Sequence, residues 1–337
     1  MKIWFPYVRS GSGTDIYTRQ LAGGLRAAGH EAIVQGFRHS FQYAPGLLGR
    51  VPPPPGTTVT VANSWNAFAF ARPGIPLVVV EHLCIFDPGY LPYRRLAQAV
   101  FHEAIVRRYE MKSFRAAQAI VAVSDHIRQS LAETLGVQAT HVIHNGVDTA
   151  LFSADSAPAP PAPDEPFRLL YVGNLSQRKG VDLLPGIMRA LGPDYRLDYT
   201  TGLRGSQTLT DLPNAHAIGS LSHQQLREAY RQARVLLFPS RLEGFGLAAA
   251  EAMACATPVV CTARSSLPEI VEDGTTGLLC PMDDVQAFVR AVRYLRENPE
   301  VLAAMGQRAR ATAVQRFSLD TMVARYAALF ATLNPTT

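Results

Sequence analysis

Residues 240–260 read Ser-Arg-Leu-Glu-Gly-Phe-Gly-Leu-Ala-Ala-Ala-Glu-Ala-Met-Ala-Cys-Ala-Thr-Pro-Val-Val. Between Gly244 and Thr262 the only charged side chain is Glu251, in a run rich in Ala, Leu, Met and Val. This composition predicts a helix packed on several faces, followed by a short buried strand from Pro258 to Cys261. Burying a carboxylate without a partner is costly, so we expect Glu251 to have a partner that stabilises its charge. The alternative, a surface helix with one solvated glutamate, would carry more polar residues.

A second carboxylate, Glu243, precedes this helix in a turn that contains two glycines. Gly244 and Gly246 allow the backbone to approach a ligand closely. The amides that open the following helix favour an anion such as a phosphate. A carboxylate can accept two O–H hydrogen bonds at once, as the hydroxyls of a sugar would donate. This stretch therefore predicts a binding site for a nucleotide sugar.

Length and composition limit the possible classes of protein. A chain of 337 residues predicts two domains, and 47% hydrophobic with 18% charged residues indicates a well-packed globular protein. The sequence shows no secretory signal and no apolar run near the ~20 residues that span a bilayer, so we expect a cytoplasmic protein. The cysteines lack metal-site spacing and predict buried thiols in a reducing compartment: Cys84, Cys255, Cys261 and Cys280.

The positive charge is concentrated in the first half of the chain. Residues 1–153 hold 14 Lys and Arg against 9 Asp and Glu, whereas residues 154–337 hold 18 of each. The segment from Arg94 to Arg115 is especially basic, and its apolar residues recur at helical spacing, which predicts one amphipathic helix. This helix could face an anionic acceptor or the inner surface of a membrane as a peripheral contact. An ordinary arginine-rich outer helix is the alternative.

Short apolar strands alternate with helical segments on both sides of a Pro/Ala-rich stretch. This alternation predicts two parallel sheets covered by helices on both faces. We predict a first domain over residues 1–153, a linker over 154–166, a second domain over 167–316 and a C-terminal helix over 317–337 that packs back toward the first domain. Ligands of such sheets bind at the carboxyl ends of the strands.

A polar loop after the first strand of the second domain carries adjacent cations. Gly173 ends that strand, and Arg178 and Lys179 follow in the loop. A departing nucleoside diphosphate carries negative charge that a lysine or arginine in a dry cleft would stabilise. Read alone, the loop could equally be a basic surface turn. Its place in the same domain as Glu243 and Glu251 favours the functional interpretation.

These motifs together resemble those of the retaining glycosyltransferases of the GT-B fold, family 4. The most specific part of the resemblance is Phe238–Val260 with its two glutamates, and the likeness covers nearly the whole chain. Further matching segments are Ala122–Ser124, Val142–Asp148 with Phe152, and Leu267–Glu269 through Gly277. The resemblance implies an α/β protein of two Rossmann-like, doubly wound domains that face an interdomain cleft.

The resemblance also implies roles for the donor-binding residues. Glu243 would bind hydroxyls of the transferred sugar, and Glu251 would hold the ribose. The amides of Phe245, Gly246 and Leu247 would meet sugar and phosphate, while Lys179 would bind the diphosphate. The family usually has an arginine where this chain has Asn174, and Arg178 is a candidate to replace it.

Two features of the first domain complete the predicted site. Gly11 and Gly13 lie between the first strand and the first helix, and the resemblance places them against donor phosphates and acceptor. A dinucleotide fingerprint is excluded because Ile16 stands at its third glycine position. His82 follows an apolar strand. A lone histidine is more often structural, but the resemblance implies contact between His82 and the transferred sugar.

The sequence thus predicts a metal-independent, retaining transfer of a hexose-type sugar from a nucleoside-diphosphate sugar. It contains no Asp-x-Asp motif to hold a divalent ion, and we expect neither a metal nor a cofactor. The alternatives are a catalytically silent binding protein of the same fold and a sugar phosphorylase or epimerase. The nucleotide base, the sugar, the acceptor (glycan, lipid-linked or other) and the oligomeric state are left open.

Overall fold

A computed structural model describes residues 1–11, 13–154, 165–201, 209 and 211–333. The chain forms two compact units, one of Met1–Gly146 with Leu319–Thr337 and the other of Val147–Ser318. Most of the predicted linker, residues 155–164, lies outside the described residues. Within the described residues each unit contains one six-stranded parallel sheet with helices packed on it. The α/β class predicted from the alternation of elements is therefore confirmed.

In the first unit the strand order is β2-β1-β3-β4-β5-β6. The strands are β1 Lys2–Val8, β2 Glu31–Phe37, β3 Val59–Asn63, β4 Leu77–Glu81, β5 Ala119–Ala122 and β6 His141–Val142. The helices are α1 Gly13–Ala27, α2 Leu96–Phe101, α3 Arg107–Ala116, α4 Asp125–Leu135 and the C-terminal helix α11 Leu319–Leu333. All the strand pairs are parallel, and β4 and β5 are buried throughout because helices and loops cover both faces.

In the second unit the strand order is β12-β11-β10-β7-β8-β9. The strands are β7 Phe167–Tyr171, β8 Tyr195–Thr200, β9 Ala215–Gly219, β10 Val235–Phe238, β11 Val259–Thr262 and β12 Gly277–Cys280. The helices are α5 Leu184–Leu191, α6 His223–Gln232, α7 Leu247–Ala254, α8 Leu267–Ile270, α9 Val285–Glu297 and α10 Pro299–Phe317. The apolar sequence Val-Leu-Leu-Phe of β10 is wholly buried, as expected of a central strand of a parallel sheet.

The strand order fixes where ligands can bind in each sheet. In the second unit the chain adds β8 and β9 on one side of β7 and then places β10 on the other side. The loops that leave β7 and β10 therefore diverge at the carboxyl edge and open a crevice between them. In the first unit the equivalent divergence lies between β1 and β3, whose neighbour β4 ends at Glu81.

The C-terminal helix α11 belongs to the first unit and packs on α1. The hydroxyls of Tyr17 on α1 and Tyr326 on α11 are 2.5 Å apart in a buried contact. A Cβ added at Gly24 would collide with the side chain of Val323. Glycine therefore permits the close approach of these two helices.

The basic segment differs from its prediction. It begins as α2, passes through a π-helical turn over His102–Val106 and continues as α3. Leu96 and Val100, two of the apolar residues whose helical spacing led to that prediction, are 83% and 61% exposed. The predicted regular helix is thus a continuous helical segment that a π-helical turn interrupts. Among the described residues no helix has the length and hydropathy to cross a membrane.

Candidate active site

The crevice of the second unit is formed by the loops after β7 and β10. The loop after β7 contains Gly173, Asn174 and a 3-10 turn over Gln177–Lys179. The loop after β10 runs from Pro239 to Gly246, where α7 begins. The predicted cations and carboxylates are therefore brought to one edge of one sheet.

Hydrogen bonds tie these two loops together. The backbone amide of Arg241 donates to the carbonyl of Arg178 at 2.9 Å, and the Arg178 guanidinium donates to the carbonyl of Leu242 at 2.5 Å. Gly180 has a φ of +71°, and a Cβ there would collide with the carbonyl of Pro239. The close contact of the two loops thus depends on glycine at position 180.

Arg241 clamps the same loops through its side chain. Its guanidinium donates two hydrogen bonds to Asp182, at 2.7 and 2.8 Å, and one to Asp283 at 2.6 Å. It also donates to the carbonyl of Gln177. Such a bidentate arginine–carboxylate pair fixes orientation as well as distance. Hydrogen bonding to Asp182 raises the pKa of Arg241 above its ordinary value.

Lys179 and Glu243 form a buried ion pair between the loops. The Lys179 Nζ lies 2.5 Å from Glu243 Oε1, and the two side chains are 16% and 8% exposed. The Ser240 hydroxyl donates to the same carboxylate oxygen at 2.6 Å. Burial alone would raise the pKa of Glu243, but Lys179 and Arg178 outweigh burial and hold that pKa below its usual value. Burial lowers the pKa of Lys179, and Glu243 opposes that shift.

The turn after Glu243 brings the backbone of residues 244–247 to the crevice. Gly246 caps α7 with a φ of +95°, and a Cβ there would meet Leu267 Cδ2 at 2.9 Å. The Ser266 hydroxyl lies 3.1 Å from the carbonyl oxygen of Glu243 and 2.9 Å from that of Phe245, which holds the turn in place. The Phe245 ring is buried against Phe317, so only its backbone can face a ligand. Gly244 and Leu247 complete the turn, and the first amides of α7 form its positive end.

Glu251, in the middle of α7, is 8% exposed. Its Oε2 accepts a 3.0 Å hydrogen bond from the Tyr230 hydroxyl of α6. Burial raises the pKa of Glu251 to about 7, although the tyrosine bond opposes the shift. The expected partner for this buried carboxylate is therefore a buried hydroxyl of the protein. The structure pairs Glu251 with Tyr230 and pairs Glu243 with Lys179.

Gly173 and Asn174 lie at the start of the loop after β7. The Gly173 amide donates to Thr200 Oγ1 at 3.0 Å, which ties this loop to the end of β8. The Asn174 carbonyl accepts from the Tyr171 hydroxyl at 3.0 Å, and the residue itself is exposed. Asn174 therefore stands at the solvent-exposed edge of the crevice.

The glycine loop of the first unit is organised by Asp15. The Asp15 carboxylate accepts from the amide of Ser10 at 3.1 Å, from the Ser10 hydroxyl at 2.9 Å and from the amide of Gly11 at 3.0 Å. Gly11 has a φ of +64°, and Gly13 opens α1. The amides of Ser10 and Gly11 thus already have an acceptor within the protein, which the sequence interpretation did not include.

His82 follows β4 at the carboxyl edge of the first sheet. Its ring meets the Tyr17 ring edge-on with centroids 4.5 Å apart. Among the described residues its buried Nε2 has no hydrogen-bond partner. Burial lowers the pKa of His82 to about 4, so the imidazole is neutral at physiological pH.

The predicted site residues therefore fall into two groups. The second unit brings Arg178, Lys179 and Glu243 into one cluster and holds Glu251 on the adjoining helix. The first unit holds Gly11, Gly13 and His82 at the carboxyl edge of its own sheet. Sequence reasoning missed the residues that orient these groups, because nothing in their local sequence marks them: Asp15, Tyr17, Tyr230, Ser240 and Arg241.

The two-sheet architecture with its loop crevice is that of the GT-B fold. Residues 153–312 match the family model described as glycosyl transferases group 1, and residues 58–151 match the model of glycosyltransferase family 4. The chain belongs to this glycosyltransferase family, as its motifs predicted.

Curated relatives of the chain are glycosyltransferases. It is 29% identical over 243 residues to alpha-maltose-1-phosphate synthase of Mycolicibacterium smegmatis. This alignment covers 62% of this chain and 62% of that protein. It is 33% identical over 191 residues to D-inositol 3-phosphate glycosyltransferase 1 of Catenulispora acidiphila, covering 49% and 45% respectively. The chain thus spans about half to three fifths of the length of these relatives.

Solved structures share the fold over the whole chain. Sucrose-phosphate synthase from Thermosynechococcus elongatus matches with a TM-score of 0.79 at 20% identity, covering 99% of both chains. Anabaena HepE in complex with UDP and glucose matches with a TM-score of 0.77 at 19% identity, covering 98% of this chain and all of the other. At these identities the matches establish the fold.

Proposed function

We propose that this chain is a metal-independent, retaining glycosyltransferase that moves a hexose-type sugar from a nucleoside-diphosphate sugar to an acceptor. The observation that carries the proposal is the buried Lys179–Glu243 pair between the two loops of the second unit's crevice. A cation and a hydroxyl-binding carboxylate stand there next to the positive end of α7. That combination suits a phosphate and a sugar held side by side.

Donor binding would give each member of the Lys179–Glu243 ion pair a second partner. Glu243, kept ionised by Lys179 and Arg178, accepts hydrogen bonds from sugar hydroxyls and orients the ring. The Lys179 ammonium has three donors, so it can retain Glu243 while it also contacts the diphosphate. The amides at Gly246 and Leu247 face the same anion. Because this positive charge is fixed before the reaction, it stabilises the departing diphosphate without a metal ion.

Glu251 is proposed to bind the ribose, and its ionisation should control donor affinity. Ribose hydroxyls donate to the ionised carboxylate, whose pKa in the free protein is about 7. We expect affinity for a nucleotide sugar to rise with pH up to about 7 and then level off, falling about tenfold per unit below that value. Titration calorimetry with the intact nucleotide sugar measures this, since its diphosphate does not titrate near neutrality.

Two variants separate this effect from other titrations. Glu251→Gln should bind the donor weakly and independently of pH. Tyr230→Phe should move the midpoint upward, because the tyrosine hydrogen bond favours the ionised carboxylate. A wild-type affinity that is flat between pH 5.5 and 8 would contradict the ribose role.

Retention of configuration is proposed to follow from front-face attack. The leaving phosphate accepts the proton of the acceptor hydroxyl, so the protein need not supply a nucleophile. His82, as a neutral imidazole, can donate one hydrogen bond to the transferred sugar from its unpartnered Nε2. The protein therefore contributes orientation and charge stabilisation.

The acceptor is proposed to be anionic or lipid-linked. The names of relatives include maltose-1-phosphate and D-inositol 3-phosphate, and we extend this chemistry to the acceptor of the present chain. The excess positive charge of the first half of the chain favours such an acceptor.

A peripheral membrane contact is proposed at α2. Leu96 and Val100 are exposed on one face of this helix, beside the exposed Arg95. Apolar side chains next to cations suit the interface of an anionic bilayer. We expect co-sedimentation with phosphatidylglycerol vesicles that Leu96→Glu/Val100→Glu weakens at least severalfold, while Met282→Glu in the second unit does not. Equal binding by all three proteins, or none, would contradict this contact.

Sugar transfer to a phosphorylated monosaccharide tests the proposed activity. The anomeric coupling of the product, measured by NMR, should match that of the donor sugar. An inverted linkage would overturn retention. Phosphate-dependent release of a sugar phosphate would indicate a phosphorylase, and isomerisation of the donor would indicate an epimerase. Donor binding without any product would indicate a catalytically silent protein.

A further inference from the structure

Two glutamates are buried behind the His82 loop of the first unit. Glu81 ends β4 and is 2% exposed, and Glu110 on α3 is 0% exposed. Ser64, which follows β3 and is 3% exposed, lies beside both. The proposed function uses neither carboxyl for donor binding. Fully buried acidic residues are rare unless something compensates them.

In each of the two carboxyl groups, the hydrogen bonds from the described part of the chain reach only one of the two oxygens. The Ser64 hydroxyl donates to Glu110 Oε1 at 3.2 Å, and the Leu83 amide donates to Glu81 Oε1 at 3.1 Å. Within the described residues the Oε2 atoms of both glutamates are buried and have no partner. Two adjacent carboxylates that each bury an unpartnered oxygen would be strongly unfavourable. A proton on one of them removes one of these two charges.

The neighbouring groups do not remove this need for a proton. The titratable or charged residues around the pair are His82, Cys84 and Arg107, on the loop after β4 and on α3. His82 is neutral, and burial with the charge of Glu81 raises the pKa of the Cys84 thiol to about 11. Arg107 is paired with the exposed Glu103 at 2.8 Å. The Trp65 indole interacts with Glu110 but brings no charge.

We propose that Glu81 and Glu110 share one proton at neutral pH and that, in this state, they act as positioning residues for His82. The inference rests on the proposed function, since His82 matters only if the chain transfers sugar. Glu81 accepts the amide of Leu83, the residue after His82, and thereby fixes the loop that presents the imidazole. The Tyr17 ring holds the same imidazole from α1.

Loss of the shared proton would disturb this arrangement. A second negative charge in the cluster would repel the first. Because the site is buried, no water would solvate that charge. Burial raises the pKa of Glu81 to about 7, and burial with the charge of Glu81 raises the pKa of Glu110 well above its usual value. The pair therefore retains a proton to a higher pH than two solvated carboxyl groups would, and releases it as the pH rises. Separation of the carboxylates would move the Leu83 amide and, with it, His82.

The test is the pH dependence of kcat at saturating donor, where ionisation of Glu251 no longer limits binding. Wild-type kcat should fall by about tenfold per pH unit on the alkaline side, because one proton is lost. Glu110→Gln should show a flat alkaline limb, since the amide of the introduced glutamine can donate permanently to Glu81. Glu133→Gln, an exposed position on α4, should behave as wild type. An alkaline limb that is the same in Glu110→Gln as in wild type would overturn the proposal.

A readout without turnover separates this inference from the proposed function. Trp65 and Trp4 are the only tryptophans, and Trp4 is buried in the core with its indole bonded to Gln35. Tryptophan fluorescence should therefore titrate once above neutrality in wild type and Glu133→Gln, and not in Glu110→Gln. Should Glu110→Gln fail to fold, Ser64→Ala must shift the wild-type transition. A transition that neither variant changes contradicts the shared proton, whereas normal fluorescence behaviour without any sugar transfer contradicts only the proposed function.

Discussion

We expect Glu243→Gln to lower kcat/KM for sugar transfer by about a hundredfold to a thousandfold, the usual effect of removing one charge-stabilising group from an active site. Glutamine keeps the shape of the side chain and can still accept from Ser240. It removes the negative charge that pairs with Lys179 and that we propose binds the sugar hydroxyls. The loss should appear mainly in kcat, because a poorly oriented donor can still bind through Glu251 and α7.

Glu243→Gln also leaves a buried ammonium without its ionic partner. Breaking a buried ion pair in this way costs about 3–5 kcal/mol of folding free energy, so the thermal midpoint should fall as well. Glu272→Gln, at an exposed position of the same unit, should change neither quantity. Activity within a few-fold of wild type in Glu243→Gln would contradict the assigned role.

Lys179→Met is the second substitution with a large expected effect. Methionine fills similar space but removes the positive charge that we propose stabilises the departing diphosphate. We expect kcat to fall by at least about a hundredfold and affinity for the free nucleoside diphosphate to weaken. Single-turnover kinetics and calorimetry measure the two effects separately. Lys112→Met, an exposed lysine of the first unit, is the matched control.

The double variant shows whether the two residues act as one unit. Residues that act together lose activity in a strongly non-additive way. Lys179→Met/Glu243→Gln should therefore be only slightly less active than the worse single variant, and more stable than either because no unpaired charge remains. Additive losses would mean that the 2.5 Å contact between the two side chains has no functional meaning.

The sequence was sufficient to predict the class of fold and the position of the two glutamates. Glu251 could be identified because it is the only charge in an apolar helix, and Glu243 because glycines follow it. Glu251 is buried, as that reasoning predicted. The alternation of apolar strands and helices predicted the parallel sheets, since helices cover both faces of such sheets.

Other parts of the site depend on tertiary contacts that local sequence does not encode. The crevice lies between β7 and β10 because those strands are neighbours, and strand order is not written in the spacing of apolar residues. Arg241 acquires its role only when Asp182 and Asp283 meet it. Likewise, the π turn after α2 is a feature that helical periodicity does not predict.

The most direct test of the account is nucleotide release from UDP-, GDP- and ADP-sugars, measured with EDTA and a mixture of phosphorylated monosaccharides as acceptors. We predict release from one donor by wild type and Glu272→Gln, and loss of that release in Glu243→Gln. Release that requires added Mg²⁺ or Mn²⁺ would contradict metal independence. Release that continues unchanged in Glu243→Gln, or no release from any donor, would contradict the central claim that the Lys179–Glu243 crevice transfers sugar.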